Sequence, residues 1–125
     1  MLAPLGRLLL GGLFLAAGIG KVTAFAGTSA YIASKGLPVP DVLAALTIAL
    51  EIAGGLAVII GYQARLAALA LAAFTVAAAI LFHDFWAVPK AMVQVQQAMF
   101  MKNLAIAGGL LLITAFGPGA WSIKR

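Results

Sequence analysis

One carboxylate stands in the middle of an apolar stretch. Glu51 is the single charged residue between Thr47 and Gly61, and the other residues there are Ala, Gly, Ile, Leu and Val. A charged side chain at the centre of a membrane-spanning helix costs at least about 2.5–3.5 kcal/mol, so it pairs with an opposite charge, stays protonated or serves a function. Glu51 is therefore the leading candidate for chemistry, either as a group that exchanges a proton or as a polar anchor for a ligand.

Four further residues with hydrogen-bond donors are candidates for the same site. The rise of about 1.5 Å per helical residue places them in the half of the membrane where the segment containing Glu51 begins. They are Lys21, His83, Lys102 and Asn103. We predict that they converge with Glu51 for ligand binding or proton exchange, with Lys21 as its partner and Arg65 as the second choice. Each residue also has an alternative interpretation. Lys21 and Lys102 can extend to the interface, His83 can lie at the interface, and Asn103 can only bridge helices. If Lys21 does pair with Glu51, the pair can serve helix packing alone.

Polar and small residues recur at helical spacing in every apolar segment. At about 100° per residue, Arg7, Gly11, Phe14, Gly18 and Lys21 form one stripe of the first segment. Thr47, Glu51 and Tyr62 share a stripe of the second segment, and Arg65 and His83 share a face of the third. Such faces do not suit lipid, so we predict that they turn inward. Four residues are assigned to a structural polar seam in the bundle interior: Arg7, Arg65, Thr47 and Tyr62.

The composition predicts the environment of these residues. The chain of 125 residues is 65% hydrophobic and 9% charged, whereas soluble domains carry roughly 25% charged residues. Four apolar segments are long enough to cross a bilayer as helices. We therefore predict an all-α membrane protein whose four transmembrane helices form an antiparallel bundle with a polar interior seam, and whose partner is the lipid bilayer. The single domain covers residues 1–125, with spans at about 5–26, 42–61, 65–83 and 90–116.

The connections predict a topology. Both termini and the short turn at residues 62–64 share one side, which we call the terminal side, and the opposite side is the far side. Basic residues on the terminal side favour a cytoplasmic location for both termini: Arg7, Arg65, Lys124 and Arg125. On the far side, residues 29–35 form a single interfacial turn, and Asp41 is predicted to cap the second helix. A cleavable signal peptide at the start is an alternative.

Several classes of function are excluded by residues that the sequence lacks. The net charge of +5 comes from scattered basic residues, which form no patch for nucleic acid. The absence of cysteine removes thiolate catalysis and iron–sulfur ligation, and one histidine cannot provide bis-histidine haem ligation or a metal site. We accordingly assign no catalytic residue, no metal and no intrinsic cofactor, and whether the chain has enzymatic activity stays open.

Short motifs follow one another along nearly the whole chain. They are Arg7-(x)3-Gly-Gly-Leu-Phe, Glu51-(x)2-Gly-Gly, Phe100-Met-Lys-Asn-Leu and Gly117-Pro-Gly119-(x)2-Ser122. This succession resembles the DoxX family of small bacterial membrane proteins. The resemblance implies four helices in the inner membrane and an association with oxidoreductase systems, since relatives include a subunit of a thiosulfate:quinone oxidoreductase. The family often ends in Ser-x-Asp, whereas this chain ends in Ser122-Ile-Lys-Arg125, so a role for a C-terminal acid is not carried over.

Three functional hypotheses follow. In the first, the protein is a membrane subunit of a redox system that offers a site for a quinone or another hydrophobic ligand and anchors a partner oxidoreductase, which supplies the electrons. Four aromatic residues are expected to flank the bound ring: Phe14, Phe85, Trp86 and Phe100. In the second, it is a cofactor-free binder or carrier of a lipid or small hydrophobic molecule. In the third, it is a structural membrane module. A homo-oligomer is compatible with all three.

Overall fold

The computed structural model describes residues 2–123, and their regular structure is helical. The helices are α1 (Leu2–Thr23), α2 (Phe25–Ser34), α3 (Pro40–Ile60), α4 (Ala64–Phe82) and α5 (Lys90–Phe116), with a short 3-10 helix at Phe85–Ala87. Within this part of the chain, α1, α3, α4 and α5 are long and apolar enough to cross a membrane. The predicted all-α membrane protein with four spanning helices is confirmed. Lys124 and Arg125, which contributed to the predicted topology, lie outside the described residues.

The helices differ from the predicted segments mainly near the far side. The predicted span 5–26 contains a break, because α1 ends at Thr23 and α2 begins at Phe25 after a turn at Ala24. The single turn expected at residues 29–35 is part of this ten-residue helix. The other three long helices overlap the segments 42–61, 65–83 and 90–116. α2 is therefore a separate, shorter helix that packs against the bundle on the far side.

The predicted capping role of Asp41 is wrong. α3 begins at Pro40, its N-cap position is Val39, and no side chain forms a capping hydrogen bond there. Proline is well suited to the first turn of a helix because its missing N–H is not needed at that position. Asp41 therefore lies inside the first turn, and its Oδ1 instead accepts a hydrogen bond from the Ser29 hydroxyl of α2. This hydrogen bond to Asp41 connects α2 to α3.

The long helices pack as two antiparallel pairs. α1 lies along α3, α4 lies along α5, and contacts between α1 and α5 are sparse. A turn at Gly61–Gln63 joins α3 to α4. The α1 stripe of Arg7, Gly11, Phe14 and Gly18 is buried, as its spacing predicts. The largest fully buried side chains among residues 2–123 are Leu71, Leu110 and Val58, so the two pairs meet through a compact apolar core.

Arg7 closes the terminal side of the bundle. Its side chain is 3% exposed. Its guanidinium donates to the carbonyl oxygens of Ala120 at 2.8 Å and Trp121 at 2.9 Å, and also to that of Pro118. A weaker contact of 3.4 Å reaches the Ile59 carbonyl of α3. Arg7 thereby holds the segment after α5 against the ends of α1 and α3.

Two other members of the predicted seam lie at the surface of the terminal side. Arg65 is exposed and donates to the carbonyl oxygen of Ala115 at 3.2 Å, near the C-terminal end of α5, where the helix dipole favours a cation. Tyr62 is 46% exposed and does not reach the interior. The periodicity that placed Tyr62 in the seam stops before it, because α3 ends at Ile60 and Gly61 turns the chain with a φ of 74°.

Candidate functional site

A cavity of about 760 Å³ lies between the helix pairs in the far half of the bundle. All five predicted ligand-binding or proton-exchange candidates line it: Lys21, Glu51, His83, Lys102 and Asn103. Thr47 of the predicted seam lines it as well, whereas Arg7, Arg65 and Tyr62 do not. Its volume lies within the range of roughly 300–1,000 Å³ that is typical of small-molecule sites. The structure therefore brings the five candidates to one space that is large enough for a ligand.

An ion pair between α1 and α3 forms the polar centre of the cavity. Lys21 Nζ lies 2.7 Å from Glu51 Oε1, with side chains that are 32% and 4% exposed. Glycine permits this approach, because a Cβ on Gly18 would lie 2.7 Å from Ile52 Cγ1 and 3.1 Å from Glu51 Cβ. The pairing uses Lys21, the first choice from the sequence, and not Arg65.

The second carboxylate oxygen of Glu51 reaches the cavity. Within residues 2–123, no enclosed side-chain oxygen or nitrogen lacks a hydrogen-bond partner. Glu51 Oε1 takes the bond from Lys21, and Oε2 has no partner in the described part of the chain. Oε2 must therefore be accessible from the cavity. The pair leaves one strong acceptor free for a hydroxyl or another donor on a ligand.

His83 and Asn103 are each held by one neighbour. His83 Nδ1 lies 2.9 Å from Gln96 Oε1 of α5, so Nδ1 donates to that oxygen and Nε2 is left for another group. The Asn103 amide donates to the backbone carbonyl of Thr75 at 3.3 Å. Thr75 itself, which is 3% exposed, donates to the Leu71 carbonyl at 2.6 Å. These bonds fix the α4–α5 wall of the cavity.

Lys102 and Thr47 are polar lining residues of a different kind. Within the described residues, neither side chain forms a hydrogen bond or an ion pair. Lys102 is exposed at the cavity edge, and Thr47 is half-buried. Both therefore have donors available for a molecule in the cavity.

Apart from Thr28, Tyr31 and Thr75, the remaining lining is apolar, and part of it reaches the surface of the bundle. It includes side chains from all five α-helices: Leu13, Phe14, Ala17, Ile32, Leu43, Phe74, Ala78, Leu81, Phe82, Met99 and Ile106. Leu13 of α1 and Met99 of α5 are 48% and 38% exposed. These two lining side chains therefore reach the outer surface of the bundle, where α1 and α5 touch at few positions.

α2 covers the far side of the cavity. Lys35, directly after α2, forms an ion pair of 3.1 Å with Asp84, and the Tyr31 hydroxyl donates to the Phe82 carbonyl at 3.3 Å. The Tyr31 and Phe82 rings also lie 5.2 Å apart. With the Ser29–Asp41 bond, these contacts join α2 to both helix pairs. Neither α2 nor Thr75 was predicted from the sequence to belong to the site, although Thr75 is the only polar residue between Leu66 and Phe82.

Three of the four predicted ring-flanking aromatics do not line the cavity. Phe14 does, but Phe85, Trp86 and Phe100 pack edge-to-face against one another, with ring centroids 5.2–5.6 Å apart. Edge-to-face packing stabilises aromatic clusters and satisfies these rings locally. The aromatic side chains at the cavity are Phe14, Tyr31, Phe74 and Phe82. No group of three or more His, Asp or Glu within residues 2–123 is arranged for a metal.

The fold defines a multi-pass membrane protein, and polar and apolar residues of its helices together line an internal cavity. The DoxX family model matches residues 2–84, and the chain belongs to the DoxX family. It is 46% identical to the inner membrane protein YqjF of Escherichia coli strain K12 over 95% of this chain and 86% of that protein. It is 32% identical to the inner membrane protein YphA of the same organism over 90% and 81%. No solved structure matches the chain.

Proposed function

We propose that the protein is an inner-membrane subunit of a redox system whose cavity binds a quinone or a similar lipid-soluble molecule with a polar headgroup. The observation that carries the proposal is a largely apolar cavity whose polar centre keeps the oxygen Oε2 of Glu51 without a hydrogen-bond partner among the described residues. The names of YqjF and YphA support the inner membrane as the location.

The lining residues fit a quinone. Such a ligand needs an apolar slot, donors for its carbonyl oxygens and a group that takes up protons. Lys102 and Thr47 have available donors, and Glu51 Oε2 is an available acceptor. A bound quinone would supply two-electron, two-proton redox chemistry. Lys21 Nζ pairs with Glu51 Oε1 at 2.7 Å, which leaves Oε2 as the acceptor that faces a ligand.

Electrons would come from a partner. The sequence has no cysteine and one histidine, so this chain cannot ligate an iron–sulfur cluster with thiolates or a haem with two histidines. A partner oxidoreductase at either membrane face would carry the electron-transfer groups, and the present chain would supply the ligand site and the membrane anchorage.

A second candidate is a structural module, and the formed Lys21–Glu51 pair favours it. A buried ion pair that is already satisfied at 2.7 Å can serve packing alone. A third, a cofactor-free lipid binder or carrier, would use the same cavity without redox chemistry. Mass spectrometry of molecules that co-purify with the protein separates ligands: a quinone supports the first candidate, and a specific non-quinone lipid supports the third.

Binding of a short-chain quinone analogue to the protein in nanodiscs tests the proposal. We expect Glu51→Gln and Lys21→Ala to weaken binding by about tenfold or more, because each removes a charge from the polar centre. Lys90→Gln is the matched control, since Lys90 is exposed and lies outside the cavity. Unchanged affinity in both cavity variants would overturn the quinone site.

A double substitution tests the structural alternative. Lys21→Met with Glu51→Leu replaces the pair by apolar side chains of similar size, which often preserves stability. If the double variant folds but no longer binds the analogue, the pair has a ligand role. If it folds and binds the analogue with the affinity of the unmodified protein, the pair serves packing only.

A further inference from the structure

Each acidic side chain of the protein contacts a partner other than Lys102. The sequence contains three acidic residues. Glu51 pairs with Lys21 at 2.7 Å, and Asp84 pairs with Lys35 at 3.1 Å. Asp41 accepts the hydrogen bond from Ser29. No carboxylate of the described residues forms an ion pair with Lys102.

Lys102 is the unbalanced charge of the cavity. The lysine and acidic side chains of the lining are Lys21, Glu51 and Lys102. The ion pair cancels the charges of the first two, so the positive charge of Lys102 is left unbalanced. Lys102 lies twelve residues into α5, about 18 Å along the helix axis from Lys90. An ammonium group at such a position either extends to the interface or takes an opposite charge.

We propose that Lys102 gives the cavity a second class of ligand besides a neutral quinone: amphiphiles with an anionic oxygen headgroup, a carboxylate or a phosphate, which it binds more tightly than neutral alcohols of the same chain length. This inference rests on the proposed function, in that it assumes that the cavity takes a lipid-soluble ligand. The Lys102 ammonium binds the headgroup oxygens, and the Thr47 hydroxyl is a second available donor. The apolar lining of α1 and α5 receives the chain, which extends to the bilayer between Leu13 and Met99.

The electrostatic argument favours anions over neutral headgroups of the same size. A hydrogen bond to a charged partner contributes more than one between neutral groups. The cavity is largely apolar, so the attraction is less screened than in water. Glu51 does not oppose binding strongly, because Lys21 neutralises it at 2.7 Å. A fatty acid, a phosphate-bearing lipid and a free anion all carry such an anionic oxygen group.

Matched ligands of one chain length provide the test. Binding of dodecanoate, dodecyl phosphate and dodecanol is measured at about pH 8, where both acids are ionised, with the full chain in phosphatidylcholine nanodiscs. We expect both anionic ligands to bind at least about tenfold more tightly than dodecanol. Lys102→Gln should weaken the binding of both anionic ligands about tenfold and so remove this preference, and Lys102→Arg should retain it. Lys90→Gln, on the same helix but outside the cavity, should match the unmodified protein.

The outcomes separate this inference from the proposed function. Equal affinities for dodecanoate and dodecanol, or a preference that survives Lys102→Gln, overturn the anion selectivity and leave the ligand site intact. If no chain-bearing ligand and no quinone analogue binds, both proposals fall. Acetate and inorganic phosphate serve as the chain-free probes. Binding of these at the affinity of the chain-bearing anions would show a simple ion site, which contradicts the proposed amphiphile.

Discussion

Gly11 of α1 and Gly55 of α3 bring two backbones into direct contact. A Cβ added to Gly11 would lie 2.6 Å from the Gly55 carbonyl oxygen, and one added to Gly55 would lie 2.7 Å from that of Gly11. Small residues allow membrane helices to approach closely where no hydrophobic effect drives association. The contact fixes how α1 sits on α3, and about three turns further along α1 this register brings Lys21 to Glu51.

We expect Gly11→Ala to destabilise the protein by about 1–3 kcal/mol, the usual range for overpacking, because the added methyl group meets backbone that cannot move aside cheaply. The adjacent Gly12 is the matched control, since nothing lies within 4 Å of a Cβ at that position. Gly12→Ala should change stability by less than about 0.5 kcal/mol. Equilibrium unfolding with sodium dodecyl sulfate in mixed micelles measures both. Equal losses of stability in Gly11→Ala and Gly12→Ala would contradict the backbone contact at Gly11.

The Lys21–Glu51 pair should be strongly coupled in a double-mutant cycle. Lys21→Met leaves a buried carboxylate alone, and we expect a loss of about 3 kcal/mol, the lower end of the range for buried pairs, because Lys21 is 32% exposed. Adding Glu51→Leu should recover much of this loss. The Lys35–Asp84 pair, with side chains 24% and 22% exposed, is the comparison and should show coupling of about 0–1 kcal/mol. Similar coupling energies in the two pairs would show that the Lys21–Glu51 pair is not desolvated.

Filling the cavity should block the ligand without unfolding the protein. Ala78 of α4 lines the cavity, whereas Ala73 of the same helix is exposed and does not. We expect Ala78→Phe to weaken binding of a quinone analogue or a dodecyl ligand by about tenfold or more, since the ring occupies the space of the ligand. Ala73→Phe should bind as the unmodified protein does. Titration calorimetry in nanodiscs measures both, and equal affinities would place the ligand elsewhere.

Arg7→Lys should loosen the segment after α5. A lysine ammonium lacks the planar fork with which Arg7 reaches several carbonyl groups at once. The native chain has no cysteine, so Ser122→Cys gives a single thiol next to Gly61. A loss of about 1.4 kcal/mol in local stability would raise its labelling rate about tenfold. Lys90→Met, at the far side, is the control, and equal rates in both backgrounds would argue against the tether.

Membrane sidedness follows from the basic residues of the terminal side. We expect both termini in the cytoplasm. Single cysteines at Ala33 on the far side and at Tyr62 on the terminal side, both exposed, report it in spheroplasts. A membrane-impermeant maleimide should label Ala33→Cys readily, and should label Tyr62→Cys only after the membrane is opened. The reverse pattern would invert the topology.

Periodicity determined which helix faces are buried. The spacing of Arg7, Gly11, Phe14, Gly18 and Lys21 predicted one inward-facing stripe. The first four residues are buried, and Lys21 is half-buried at the end of the stripe. The stop signals at Gly117–Gly119 and the start after Pro89 gave α5 its observed bounds, Lys90–Phe116. These features are local, because a helix turns by about 100° per residue whatever it packs against, and because proline and glycine restrict the backbone at their own positions.

Features that depend on neighbouring helices were not predictable in the same way. No proline or glycine marks the break at Ala24, so the start of α2 depends on its packing against α3. Tyr62 lies beyond the end of α3, where helical spacing no longer applies. The aromatic residues Phe85, Trp86 and Phe100 pack against one another, and other aromatic rings line the cavity.

By itself, the sequence determined a membrane protein with four apolar helices and a buried carboxylate, because hydrophobic content and helical period are properties of the chain alone. Only the tertiary structure decided that α1 packs on α3 and α4 on α5. It also decided that Lys21 takes Glu51 while Lys102 is left without a carboxylate. The physical reason is that an ion pair depends on the distance between side chains of different helices. That distance is set by where glycines let two backbones touch.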